Sequence, residues 1–169
     1  MIEAIIGGDG FVGSKLVQML PDAIVTTRNN RYLEGRWLLD ISDPGPMPNA
    51  DVVYLCAGVN GALTCARDPQ RSFRTNVDGT IRVANHYKDS FVVWISSTTV
   101  EWCAEHYGQQ KRITETVLRT MPHVGIVRAG RVTSENVRDL CNTMITIGRN
   151  KKAGIFLWGE DEKPYERAA

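Results

Sequence analysis

The stretch IIGGDGFVG, residues 5–13, constrains this chain more than any other. Four glycines fall in seven positions, directly after an apolar run and directly before SKLVQML. A strand that turns at once into a helix needs a glycine at the bend. It needs a second where a phosphate approaches the main chain, and a third where the helix packs closely on the sheet. The helix N-terminus then offers free N–H groups and a partial positive charge to an anion. Two frames fit: Gly8, Gly10 and Gly13 as G-x-G-x-x-G, or Gly7, Gly10 and Gly13 as G-x-x-G-x-x-G. A glycine turn without a ligand is the plain alternative.

The rest of the chain alternates short apolar runs with helical stretches, the pattern of an α/β fold with a parallel sheet. MIEAIIG, DAIVTTR, DVVYLCAG, FVVWISS, HVGIVRAG and AGIFLWG read as strands. GFVGSKLVQML, the segment from about Pro69 to Tyr87, HYGQQKRITETVLRTM and ENVRDLCNTMITIG read as helices. SDPGPMPNA (42–50) is a loop by its turn chemistry. With 169 residues the chain has material for one good core. We assign residues 1–160 to one domain and the charged stretch 161–169 to an exposed tail.

Composition excludes several function classes. A formal charge of +1 gives no basis for a nucleic-acid or anionic-membrane partner. No apolar run approaches the ~20 residues of a membrane span, and the N-terminal apolar residues run into glycines rather than a secretory pattern. The four cysteines, Cys56, Cys65, Cys103 and Cys141, lack metal-ligand spacing, so no metal is expected. A reduced, cytoplasmic protein is the simplest expectation.

Six further segments, in order, carry a family resemblance. NADVVYLCAG (49–58), FRTNVDGTIRVAN (73–85), FVVWISSTTVEW (91–102), YGQQK (107–111), VGIVRAGRV (124–132) and the stretch from Glu135 to Gly159 each resemble a segment of one family. That family is the extended short-chain dehydrogenases/reductases, the NAD-dependent epimerase/dehydratase group that includes dTDP-4-dehydrorhamnose reductase-like proteins. The resemblance covers most of residues 1–160, selects the Gly7/Gly10/Gly13 frame with Phe11 and Val12 inside it, and implies a doubly wound parallel sheet, the Rossmann fold.

Residue by residue, the resemblance implies a site. Tyr107 and Lys111 match Y-x-x-x-K, and Ser97, three before Val100, matches the hydroxyl that orients the reacting oxygen, with Thr98 next in line. The four-residue spacing itself puts Tyr107 and Lys111 on one helix face. There an ammonium favours the phenolate of a tyrosine whose ordinary pKa is near ~10. Lys111 would also bond the nicotinamide ribose. Asp40 and Ile41 would meet the adenine, and Ala57 would line the adenosine side. Asn76 would brace the cofactor region or bind it, and Arg128 would lie near the nicotinamide end.

Cofactor choice turns on the end of the second strand, where an acid bonds the ribose of NAD and an arginine accommodates the phosphate of NADP. TTRNNR carries Arg28 and no acid, which favours NADP(H) over NAD(H).

The family pattern is also departed from. Ser97 and Tyr107 are only ten apart, VEW stands where the family has VYG, and Ala129 replaces a proline. Between Val132 and Glu135 almost nothing stands where relatives carry a substrate-binding segment, so the substrate domain is expected to be largely missing. Two readings follow. The first is a compact oxidoreductase or epimerase-like enzyme acting on the hydroxyl/carbonyl pair of a small molecule, such as a sugar nucleotide, as a homodimer built through its long helices. The second is a non-catalytic NAD(P)-binding module that senses redox state or scaffolds a partner.

Overall fold

The computed structural model describes residues 1–29, 34–43 and 45–159. The tail 161–169 lies outside the described residues, as does part of the 42–50 loop.

Strands β1 (Glu3–Ile6), β2 (Ile24–Thr27), β3 (Trp37–Leu38), β4 (Val52–Leu55), β5 (Phe91–Ser97), β6 (Val124–Ala129) and β7 (Gly154–Trp158) form one seven-stranded sheet. Its order is β3-β2-β1-β4-β5-β6-β7, and every pairing is parallel. The order reverses between β1 and β4, which opens a crevice at the carboxyl ends of those strands. The sheet is thus doubly wound, as the sequence implies.

Parallel strands need crossover connections, and the helices that serve most of them here cover both faces. Alternate strand residues therefore feed two separate cores rather than one core and solvent. Ile6, Val53, Leu55, Trp94 and Ile126 join Val83 and Ala84 of α4 (Thr80–His86) and Leu118 of α5 (His106–Leu118). Ile5, Val52, Tyr54, Val93 and Val127 join Leu16 of α1 (Phe11–Met19) and Leu140, Met144 and Ile147 of α6 (Val137–Arg149) on the other face. Each such fully buried aliphatic side chain contributes roughly 1.5–3 kcal/mol.

The structure departs from the sequence reading between the long elements. β3 is a two-residue edge strand, exposed along its length, with too little apolar periodicity to announce itself. Two short helices, α2 (Ala62–Arg67) and α3 (Pro69–Phe73), precede the long helix, with Asp68 capping α3 by accepting from the N–H of Arg71 at 3.0 Å. The expected helix from Pro69 to Tyr87 is interrupted by a π-helical turn, Arg74–Gly79. That wider turn displaces backbone partners, and side chains replace them: Thr114 of α5 donates its hydroxyl to the carbonyl of Asn76 at 2.9 Å.

Candidate functional site

The glycine turn is held to β2 by two bonds to one residue. The N–H of Gly7 donates to the Thr26 hydroxyl at 3.2 Å, and that of Gly8 to the Thr26 carbonyl at 3.1 Å. Gly7 has φ +90°, and a Cβ there would meet the Ala57 nitrogen at 2.6 Å. Gly13 lets α1 sit on the turn, since a Cβ would come 2.1 Å from the Gly7 carbonyl oxygen. Gly8 is equally confined, but by Val25 of β2 at 2.3 Å. Gly10 differs from these three. A Cβ there meets only the Gly7 oxygen, at 3.4 Å, and would otherwise fill space at the wall of a cleft. No side chain caps α1, which leaves its first N–H groups to an incoming anion.

That cleft, about 440 Å³, runs across the carboxyl ends of the strands. Gly7, Gly10, Phe11 and Val12 form its first wall, and Arg28, Asp40, Ile41 and Ala57 continue it. Ser97, Tyr107 and Lys111 complete the far end. Eleven of the residues singled out in the sequence therefore share one surface. Gly13, Asn76 and Arg128 do not line it, and neither does Thr98.

The wall around Asp40 and Ile41 is fixed by packing. Gly79 has no room for a side chain, because a Cβ would meet the Ile41 carbonyl oxygen at 2.4 Å. Arg82 donates to that same oxygen. Asp40 accepts from the N–H and hydroxyl of Ser42 at 2.9 and 2.7 Å. Burial works to raise the Asp40 carboxyl, but these two bonds and the fields of Arg28 and Arg71 outweigh it, so its pKa is lowered.

At the far end Lys111 is buried. Its Nζ donates to the Ile95 carbonyl at 3.0 Å and lies 4.6 Å from the centre of the Trp94 ring and 5.8 Å from that of Tyr107. Loss of water pushes its pKa down to about 8, against the opposing field of Glu115. Ser97 ends β5, and its hydroxyl accepts from the N–H of Thr99 at 3.2 Å to start the short turn Thr98–Val100. α5 begins abruptly after Glu105, as the short Ser97–Tyr107 spacing requires. Gly108 permits this by admitting the Cys103 carbonyl oxygen 2.2 Å from where a Cβ would stand.

Asn76 and Arg128 are engaged one layer back. Asn76 accepts from the Val59 N–H at 2.7 Å and donates to the Val59 carbonyl at 2.9 Å, and its amide also donates to Gln110 at 2.8 Å. It braces the loop after β4. Arg128 clamps Glu115, with Nη2–Oε2 at 2.7 Å, and reaches Glu101 at 2.9 Å.

Two functional-looking groups, Glu115 and Asp9, are given no role by the sequence motifs, and Cys56, which its apolar run marks as a small core residue, also reaches the cleft. Glu115 is buried behind Lys111 and accepts from Ser96 at 2.6 Å; its spacing four after Lys111 was a usable signal. Asp9 lies inside the glycine turn yet accepts from the Thr27 hydroxyl and from Arg36, and no local pattern reveals that. Cys56 lines the cleft, where burial pushes its thiol up and keeps it an uncharged wall residue. All four cysteines are free. Among the described residues no cluster of His, Cys, Asp or Glu could hold a metal ion, and no helix is long and apolar enough to cross a membrane.

Solved structures share the fold. The chain superposes on a hypothetical dTDP-4-dehydrorhamnose reductase from Sulfolobus tokodaii with a TM-score of 0.73 at 19% identity, covering 95% of this chain and 77% of that one. A UDP-N-acetylglucosamine 4-epimerase from Methanobrevibacter ruminantium, in complex with UDP-N-acetylmuramic acid, gives 0.77 at 17% identity, covering 94% and 76%. The Bordetella bronchiseptica enzyme WbmF, in complex with NAD+, gives 0.74 at 16% identity, covering 92% and 72%. No curated protein sequence matches the chain. The model of the NAD dependent epimerase/dehydratase family matches residues 4–123, from the first strand through the glycine turn and Ser97 to beyond Lys111, and this chain belongs to that family.

Proposed function

We propose that the protein is an NAD(P)-dependent oxidoreductase or epimerase-like enzyme acting on a hydroxyl/carbonyl pair, with a sugar nucleotide as the substrate class. The observation that carries this reading is the single cleft lined by Gly10, Ser97, Tyr107 and Lys111. When bound, the nicotinamide dinucleotide supplies or accepts the hydride. The chain's own residues do the rest. Gly10 lets the pyrophosphate approach the main chain at the start of α1. The Tyr107 hydroxyl gives or takes the proton of the reacting oxygen, and Ser97 holds that oxygen in place. The Lys111 ammonium favours the phenolate and bonds the nicotinamide ribose. Asp40, Ile41 and Ala57 receive the adenosine side, and Asn76 keeps the adjoining loop in position. Arg128 acts near the nicotinamide end through the Glu115 layer. Arg28, exposed at the end of β2, favours NADP(H) over NAD(H).

The assembly we propose is a homodimer. A groove between α3 and α5, lined by Phe73, His106 and Ile113, leaves Phe73 38% and Ile113 44% exposed. Phe73 and Ile113 would supply the apolar centre of an interface, and Gln70, Arg74 and Gln109 its polar rim. A partner subunit there would flank α5, which carries Tyr107 and Lys111. Free cysteines support a reducing, cytoplasmic setting.

The test is Tyr107→Phe assayed with a panel of nucleotide sugars and simple carbonyl compounds. Turnover should fall by roughly 10²–10⁴ while cofactor affinity stays near wild type. Wild type and variant behaving alike across the panel would instead support the reading as a non-catalytic binding module. The short 130–136 connection between β6 and α6, which leaves the cleft without a further wall, is the observation favouring that second reading.

A further inference from the structure

The sequence carries no acid at the end of β2, yet the structure has one there. Asp9, from the glycine turn, reaches across to β2, where the buried Thr27 donates its hydroxyl to one carboxylate oxygen. Arg36, just before β3, donates to the other. Thr27 is itself fixed by the N–H of Asn29, which donates to its hydroxyl at 3.0 Å. Asp9 and Arg28 both line the cleft, and the other carboxylate that lines it is Asp40, which accepts from Ser42.

An unpaired carboxylate at this point would accept from ribose hydroxyls and repel a phosphate. A carboxylate whose charge is offset by a guanidinium, and whose other oxygen already accepts from Thr27, repels a phosphate far less and offers a ribose fewer acceptor positions. We propose that the Asp9–Arg36 ion pair, and not a residue of β2, sets the discrimination between NADPH and NADH, by taking the turn's carboxylate out of play so that Arg28 can meet the 2′-phosphate. The inference rests on the cofactor reading above. A phosphomonoester carries close to two negative charges at neutral pH. With the pair intact, Arg28 brings its positive charge beside the phosphate, shared only with the field it exerts on Asp40. Without Arg36, Asp9 cancels Arg28 and the preference reverses. Arg36 is thus a positioning residue that acts through Asp9.

The experiment is calorimetric titration of the full chain with NADPH and, separately, NADH, for wild type, Arg36→Ala, Asp9→Asn and the double variant. Neither Arg36 nor Asp9 belongs to either core, and an asparagine at position 9 keeps an oxygen for the Thr27 hydroxyl, so the fold should stand. Arg36→Ala should move the ratio of the two dissociation constants at least tenfold toward NADH. Asp9→Asn should leave the ratio within about threefold of wild type, and so should the double variant, because the pair already holds the carboxylate out of play and Arg36 has no task once it is gone. An unchanged ratio in Arg36→Ala overturns the proposal. So does a double variant as shifted as Arg36→Ala, which would mean that Arg36 touches the phosphate directly. If wild type binds neither dinucleotide, the cofactor reading itself fails and takes this inference with it. Binding of both with a ratio indifferent to Arg36 removes the inference alone.

Discussion

The ammonium of Lys111, one helical turn after Tyr107, lies 5.8 Å from the centre of the Tyr107 ring and donates to the Ile95 carbonyl at 3.0 Å. Burial of that ammonium is costly, and its pKa falls from 10.5 to about 8. The groups around it are Glu115 on its own helix, Cys56 after β4, Cys65 on α2, and the Trp94 and Tyr107 rings. Below pH 8 both folded and unfolded chains hold the proton, and the full cost of burying the charge is present. Between pH 8 and 10.5 the unfolded chain binds more protons than the folded one, so this contribution to stability rises with pH. Urea unfolding of wild type and Lys111→Met checks it. The stability of wild type relative to the variant should climb by up to about 1.4 kcal/mol per pH unit in that window. A flat difference would mean that the lysine titrates normally in the fold.

A second prediction concerns the layer behind the site. Arg128 offsets the buried carboxylate of Glu115 with hydrogen bonds from Nε at 3.0 Å and Nη2 at 2.7 Å. Arg128→Met strands that charge and should cost roughly 3–5 kcal/mol, whereas the double variant with Glu115→Gln should recover most of the loss. Thermal unfolding of the single and double variants decides it, and equal losses would show that packing of the arginine stem, not its charge, matters there.

The groove between α3 and α5 makes the third. Ile113→Glu places a charge on a position that is 44% exposed and outside both cores, where it leaves the fold intact but would be buried in an interface. Light scattering should find wild type as a dimer and the variant as a monomer with unchanged circular dichroism. Two monomers, or two dimers, would remove this face from the account.

Much of this architecture was legible in the sequence because it depends on local patterning. The strand–glycine–helix turn, the continuous apolar runs of β4 and β5, and the four-residue step from Tyr107 to Lys111 each declare themselves within a dozen residues. β3 does not, since two exposed residues carry no period. The π-helical turn is set by contacts across the fold, with Thr114 and Gln110 of α5 meeting Asn76 there. Asp9 is the clearest loss. Its acid belongs, in space, to the end of β2, but in sequence to a turn 18 residues earlier than Thr27. A search of β2 alone could not find it. The ion pairs of Arg128 with Glu115 and Glu101 are equally hidden from the sequence of β6, because Glu115 lies on α5 and Glu101 after β5.

The central claim is that the glycine turn is a working dinucleotide site, and the most direct measurement is a titration with NADPH of wild type beside Gly10→Ala and Gly13→Ala. The two glycines differ in what surrounds them. A Cβ at Gly13 collides with the Gly7 carbonyl and should cost roughly 1–3 kcal/mol or more of stability. A Cβ at Gly10 projects into the cleft, so the fold should stand while the pyrophosphate is kept from the main chain. The account predicts saturable one-to-one binding by wild type and at least a tenfold loss of affinity in Gly10→Ala at unchanged melting temperature. Absence of binding by wild type, or equal binding by Gly10→Ala, would contradict it.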